Sequence, residues 1–498
     1  MYDVEKQHKK GKLHAIERIE QLLDPGSFVE MDHEVSNIEN NFGLAADSLP
    51  YDGVITGYGT IHNQLVYLYS QDFTVMGGTL GKNHGFKIAK AIQEAIKHHC
   101  PIIGINDSGG ARIQEGVDAL AGYGEIFYYN TLASGEIPQI AIIAGPCAGG
   151  AVYSPGIMDF IFVIDDISTM FVTGPKVIKS VTNETISAED LGGAKVHSGR
   201  SGVAHFRCDS EKDCYESVRN LLNVIPHSCN FGKSHRKKYQ YIEKSQDGIG
   251  AIIPDSPNKP YDMNNIIHQL FDADSFIEVS KDFAKNVVVG FAKLSGITVG
   301  IVANQSKCMA GVLDVDSSDK AARFIRYCDC YDVPIITLTD VPGFLPGSDQ
   351  EFKGIIRHGA KLLYAYSEAT TTKLNVILRK SYGGAYIAMS SRHLRADEVY
   401  VWSNAEIAVM GAEAACQIIY AKELKKLEGD SKKEFLEEKV KDYENKAMNA
   451  TNAIKEKYVN PVISPEETRR ILFDDLVRLN KKKKKRCKQY KKHGNIPL

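Results

Sequence analysis

A duplication runs through this chain and limits the folds open to it. Pro101-Ile102-Ile103-Gly104-Ile105-Asn106-Asp107 returns 233 residues later as Pro334-Ile335-Ile336-Thr337-Leu338-Thr339-Asp340, an apolar strand running into an aspartate. At the same offset Thr56-Gly57-Tyr58-Gly59, Leu65-Val66-Tyr67 and Met76-Gly77-Gly78 match Val289-Gly290-Phe291-Ala292, Thr298-Val299-Gly300 and Met309-Ala310-Gly311. Cys147-Ala148-Gly149-Gly150-Ala151-Val152-Tyr153 answers Ser381-Tyr382-Gly383-Gly384-Ala385-Tyr386-Ile387 at a spacing of 234. Separated blocks at one spacing indicate two copies of one fold unit, and the period is too long for a solenoid repeat.

The boundary is expected between residues 225 and 262, where Pro226, Gly232, the basic run His235-Arg236-Lys237-Lys238, Gly248, Gly250, Pro254, Pro257 and Pro260 read as linker punctuation. The expected domains are therefore 1–240 and 241–498. With 498 residues and 43% hydrophobic content the chain can bury two cores, and a net charge of −2 gives no general attraction for nucleic acid. Ten cysteines in so long a chain form no disulfide framework, and none has zinc-site spacing, so reduced thiols, a cytoplasmic location and no metal are expected. No apolar run is long enough to span a bilayer, and the polar N-terminus is unlike a signal peptide. The run Lys481 to Lys485 with Arg486 reads as a solvated end of a helix rather than a nucleic-acid patch.

In both copies an apolar strand, Ile140-Ala141-Ile142-Ile143-Ala144 or Val376-Ile377-Leu378, is followed by adjacent glycines and a helix-compatible stretch. Glycine permits a tight strand-to-helix turn and close approach of a ligand, and the first N–H groups of the helix have no internal partner. Such donors stabilise a developing oxyanion by about 3 kcal/mol each. Glycine pairs also serve close helix-on-strand packing, but their retention in both copies, each about 42 residues after a strand-ending aspartate, favours the binding role. Two such turns suggest two substrates. After Asp107, Ser108-Gly109-Gly110-Ala111-Arg112 offers backbone donors and a guanidinium for a phosphate or carbonyl. Gly145-Pro146-Cys147-Ala148-Gly149 has the spacing of a nucleophile elbow with cysteine as nucleophile, yet no histidine signature accompanies it, and Arg379 replaces the first glycine in the second copy.

The blocks Asn106 to Gly116, Gly145 to Pro155 and Asp340 to Gly347, with Ile355 to Leu363, Ala405 to Gly411 and the ending Lys492-His493-Gly494-Asn495-Ile496-Pro497-Leu498, resemble the carboxyltransferase subunits of biotin-dependent acyl-CoA carboxylases and decarboxylases. The likeness runs from Glu5 to Leu498. It implies an α/β fold of two crotonase-like domains of ββα units, assembled as a hexamer. The resemblance implies that the amides of Gly149 and Gly150 hold the thioester enolate of an acyl-CoA, with Ser108 to Arg112 alongside. It also implies that those of Gly384 and Ala385 hold the ureido oxygen of carboxybiotin, with Gly383, Tyr386 and Ile387 on the biotin side. Passage through an enolate and an anionic urea suits oxyanion donors, and the chemistry requires neither a metal nor a side-chain nucleophile.

No biotin-attachment segment or ATP-binding signature occurs, so biotin is expected on a separate carrier protein. Partners would be a biotin carboxylase or membrane decarboxylase subunits, the latter placing the enzyme at the membrane periphery, and those partners would set the direction of transfer. Ile387 stands where related propionyl-CoA carboxylases commonly carry aspartate and looks more like methylmalonyl-CoA decarboxylase subunits, which favours methylmalonyl-CoA as substrate. The alternatives are a component of an ATP-dependent propionyl-CoA or acetyl-CoA carboxylase, or an assembly subunit without activity. The chain departs from the pattern in lacking much of the segment before Lys6, where either a weakened subunit contact or a truncated gene model is expected, and in reading Ser306-Lys307-Cys308 where a proline often precedes the lysine.

Overall fold

The computed structural model describes residues 4–39, 42–229, 239–480 and 491–497. Gly232, the run His235 to Lys238 and the run Lys481 to Arg486 lie outside the described residues. The chain divides into two compact units, Met1–His235 with Ser280–Phe283 and Cys487–Pro497, and Arg236–Val279 with Ala284–Arg486 and Leu498.

The first unit contains β1 (Val29–Met31), β2 (Val54–Ile61), β3 (Gln64–Gln71), β4 (Ile102–Ser108), β5 (Gln139–Ala148), β6 (Phe160–Ile164), β7 (Thr169–Phe171) and β8 (Phe206–Cys208). The second contains β9 (Ile277–Val279), β10 (Val287–Leu294), β11 (Ile297–Asn304), β12 (Ile335–Val341), β13 (Lys373–Tyr382), β14 (Glu398–Val401) and β15 (Glu406–Ala408). The sheet orders are β1-β2-β3-β4-β5-β6-β8 and β14-β13-β12-β11-β10-β9, with β7 attached to β5 and β15 to β13. In each unit an antiparallel hairpin, β2–β3 or β10–β11, feeds parallel strands through a crossover helix. Both units are α/β, with the same order of antiparallel and parallel pairings.

The parallel strands read as continuous apolar runs because both of their faces are covered. Every residue of β4, β6, β12 and β13 is buried. The crossover helix Lys82–His98 turns Ile88, Ala91, Ile92 and Ala95 inward at helical spacing. They pack with Ile102, Ile126 and Ile143 in the first core. The second core gathers Ile266, Val299, Ile301, Leu338 and Val376 around Trp402.

The long strand of each unit serves two partners. β5 pairs with β6 through Ile140–Ile143 and then with β7 through Pro146–Ala148. β13 does the same with β14 through Leu374–Ile377 and with β15 through Lys380–Tyr382. The neighbouring strand slips register at the changeover, between Asn106 and Ser108 or between Thr339 and Val341. Asp107 and Asp340 sit at these slips. The tail returns to the first unit, where Lys491 Nζ donates to the carbonyls of Thr131, Leu132 and Ser134, and Asn495 Nδ2 to Asp159 at 2.8 Å. Among the described residues no helix is long and apolar enough to cross a membrane.

Candidate active site

Each unit ends its long strand in the same turn. Ala148 is extended, Gly149 adopts φ +63°, and a helical turn Gly149–Val152 begins; Tyr382 is extended, Gly383 adopts φ +59°, and the helix Gly383–Ala388 begins. The left-handed first glycine is what the fold requires, since a Cβ is strained there. The second glycine is required less. A Cβ on Gly150 would lie 3.2 Å from the Tyr123 ring, a tight contact, whereas one on Gly384 would meet nothing closer than Phe344 at 3.9 Å. Gly384 is exposed, so packing in this unit does not explain a missing side chain there. Ala385 is buried, Tyr386 half-buried against His393, and Ile387 stands 40% exposed beside the turn.

Behind each turn lies a buried carboxylate that is already neutralised. Asp107 accepts Lys12 Nζ at 2.6 Å, Arg18 Nη1 at 3.0 Å and Gln7 Nε2 at 3.3 Å. Arg18 extends the network to Glu211 at 2.9 Å and to the carbonyl of Ala144 at 2.7 Å. Burial acts to lower the pKa of both cations. In Lys12 it prevails over the attraction of Asp107, while in Arg18 the carboxylates of Asp107 and Glu211 outweigh it and the net shift is upward. Gly145 makes this possible, because a Cβ there would come within 2.0 Å of the Asp107 carboxylate. The second unit places Arg379 at the corresponding strand position. Its guanidinium pairs Asp340 at 2.9 Å, donates to the carbonyls of Ser256 and Lys259, and lies 4.9 Å over the Tyr261 ring. Neither aspartate is placed to act as a base.

The loop Ser108–Arg112 lies beside the first turn, the Cβ position of Gly110 being 3.0 Å from the carbonyl of Ala148. Three of its amides are used inside the unit: Gly109 donates to Gly77, Gly110 to Ser108 Oγ and Arg112 to Leu80. Ser108 is buried, and Ala111 bridges Leu80. The Arg112 guanidinium is fully buried between Asp52 and Glu115 at 2.5 and 2.7 Å, so it shapes the loop from within rather than facing a ligand. The second unit repeats the scaffold, with Leu313 donating to Gly343 and Leu345 to Leu313.

Cys147 is fully enclosed, and burial pushes its thiol up to about 12. A thiol held protonated and out of reach is no nucleophile, which removes the elbow reading. Sequence reasoning missed Lys12, Arg18, Tyr123, Phe344 and the pair Tyr382–Glu406. Only the exchange of Gly145 for Arg379 between the copies pointed at the cations behind the turns.

Two units of one α/β topology, each with a left-handed glycine turn at the end of its long strand, form the scaffold, and likeness to known proteins gives its class as a carboxyltransferase. The chain belongs to the carboxyl transferase family, whose domain matches residues 6–496. It is 50% identical over 495 residues to the propionyl-CoA carboxylase beta chain of Cereibacter sphaeroides, covering 99% of this chain and 96% of that one. It is also 50% identical over 495 residues to the methylmalonyl-CoA decarboxylase subunit alpha of Veillonella parvula, covering 99% and 95%. The crystal structure of transcarboxylase 12S, a hexamer with methylmalonyl-coenzyme A and methylmalonic acid bound, superposes with TM-score 0.92 at 44% identity, covering 99% of this chain and 94% of that one.

Proposed function

We propose that this carboxyltransferase moves a carboxyl group between methylmalonyl-CoA or propionyl-CoA and biotin borne on a separate carrier protein, as a methylmalonyl-CoA decarboxylase component. The single observation that carries the reading is the repeated turn, with an exposed Gly384 whose side-chain position is open. In the first unit the amides of Gly149 and Gly150 face the thioester oxygen as negative charge grows on it, and the loop Ser108–Arg112 borders that position. In the second unit the amides of Gly384 and Ala385 receive the ureido oxygen, while Gly383 sets the turn and Tyr386 and Ile387 border it. The open side-chain position of Gly384 supports a biotin-side role for this turn, and biotin when bound would supply the acceptor or donor of the carboxyl group. Each well-placed donor contributes about 3 kcal/mol to the charged state over the neutral one. The hexamer of transcarboxylase 12S suggests the same assembly here.

Equal identity to a carboxylase beta chain supports a second reading, the transferase component of an ATP-dependent propionyl-CoA carboxylase. The half-reaction is the same, and the partner subunits set its direction. Incubating the protein with methylmalonyl-CoA, with and without free biotin, and following propionyl-CoA by chromatography tests both. Biotin-dependent product is expected. Turnover of malonyl-CoA alone would transfer the proposal to acetyl-CoA, and silence with every thioester would overturn it in favour of an assembly subunit.

A further inference from the structure

The two glycine turns are alike in backbone but not in what braces them. Tyr382, the last residue of β13, precedes Gly383 directly, and its hydroxyl donates to the carboxylate of Glu406 on β15. The strands carrying them run in register, with Lys380 opposite Glu406 and Tyr382 opposite Ala408. One residue beyond β15, the carbonyl of Val409 abuts the turn, 3.0 Å from where a Cβ of Gly383 would lie. The Tyr382 ring is buried against Ala412 and Met448, with Val440 and Tyr443 beside them, so the phenol is held at both ends. Glu406 is tied in turn to Asn449 by a backbone bridge. The first unit has no counterpart: Ala148 fills the position of Tyr382, and its strand partner is Phe171. Burial, and then the bond to Glu406, raises the Tyr382 pKa, so the phenol stays a proton donor to the carboxylate across the working pH range.

We propose that Tyr382 and Glu406 form a positioning pair for the biotin-side turn, fixing β15 against β13 so that Val409 holds Gly383 left-handed and the amides of Gly384 and Ala385 keep one orientation. The inference rests on the assignment of this turn to biotin. An oxyanion donor acts only if its direction is set before charge develops, and a displacement of about 1 Å can cost on the order of 100-fold in rate. A pin through a side chain fixes that direction where the strand ladder ends. The first turn, without such a pin, instead has the Tyr123 ring packed on its second glycine.

Tyr382→Phe keeps the ring in its apolar cluster and removes the bond. The expected result is a fall of about tenfold in kcat/KM for free biotin with the Kd for propionyl-CoA unchanged. Amide hydrogen exchange in a peptide spanning the turn should accelerate, while peptides around Gly149 stay as they were. In the chain that keeps Tyr382, Glu406→Gln retains an acceptor for the phenol and should keep most of the wild-type value in both readouts, whereas Glu406→Ala should lose it as Tyr382→Phe does. Unchanged exchange at the turn in Tyr382→Phe would overturn the inference, as would equal losses for biotin and acyl-CoA with a lowered Tm, the signature of general destabilisation. The exchange readout decides even if the wild-type protein transfers no carboxyl group, a result that would count against the proposed function alone.

Discussion

Asp107 and Asp340 show one electrostatic problem met with different residues. A carboxylate at a strand slip, removed from water, costs several kcal/mol unless it is paired. The second unit recruits Arg379 from the adjoining strand; the first has Gly145 there and draws Lys12 and Arg18 from the leading segment. The glycines after these strands differ in a way that separates folding from chemistry. Gly384→Ala adds a methyl group in ordinary contact with Phe344, so its unfolding midpoint in urea should move by less than about 0.5 kcal/mol equivalent, the usual range for a surface substitution. The same methyl occupies the cradle proposed for the ureido oxygen, and biotin-dependent turnover should drop by at least about tenfold. Full activity in the Gly384→Ala variant would show that the space over the turn is not used. The glycine pairs were legible because their backbone demand is local. The side chains of Tyr123 and Phe344 over them were not, since neither belongs to the same strand or turn.

At the scale of elements, the crossover helix Lys82–His98 carries an ammonium where its pattern calls for an apolar group. Lys87 is buried and donates to the carbonyls of Tyr51 and Val54 at 2.9 and 2.7 Å. Tyr51 and Asp52 beside it hold φ of +42° and +51°, a left-handed stretch of non-glycine residues. Burial lowers the Lys87 pKa to about 8 from 10.5. Between those values the unfolded chain binds a proton that the folded one has released, so stability should rise with pH from about 8 towards 10.5, in the sense required by proton linkage. Urea denaturation at about pH 7, 8, 9 and 10 checks the slope, and Lys87→Met should flatten it. A parallel slope in the variant would place the titration elsewhere. Strands and crossover helices were readable from apolar runs and helical spacing, whereas the slip at each aspartate was not, because register depends on the neighbouring strand.

Over the whole molecule the duplication accounts for the order of elements, but the chain ends escape it. The tail Lys491–Pro497 belongs to the first unit, where Lys491 covers the last carbonyls of the helix Val117–Ala133, the same helix that sets Tyr123 against Gly150. A cation at a helix C-terminus satisfies orphan carbonyls and complements the dipole. Truncation before Lys491 should therefore speed hydrogen exchange in the final turn of Val117–Ala133 and leave the helix Ile355–Glu368 unchanged; equal protection in both helices with and without the tail would contradict this. The order of residues alone established two related α/β units and a glycine turn at the end of each long strand, and its resemblance to a known family supplied carboxyl transfer as the chemistry. The units and turns follow from properties carried within a few consecutive residues: hydrophobic period, glycine dihedrals and blocks repeated at one spacing. Folding in three dimensions was needed to turn Arg112 inward to Asp52, to bring Lys12 and Arg18 onto Asp107, to pin Tyr382 with Glu406 and to return the tail to the first unit. Each of those pairs groups far apart in sequence or fixed by packing, and no local pattern specifies which buried charge will find which partner.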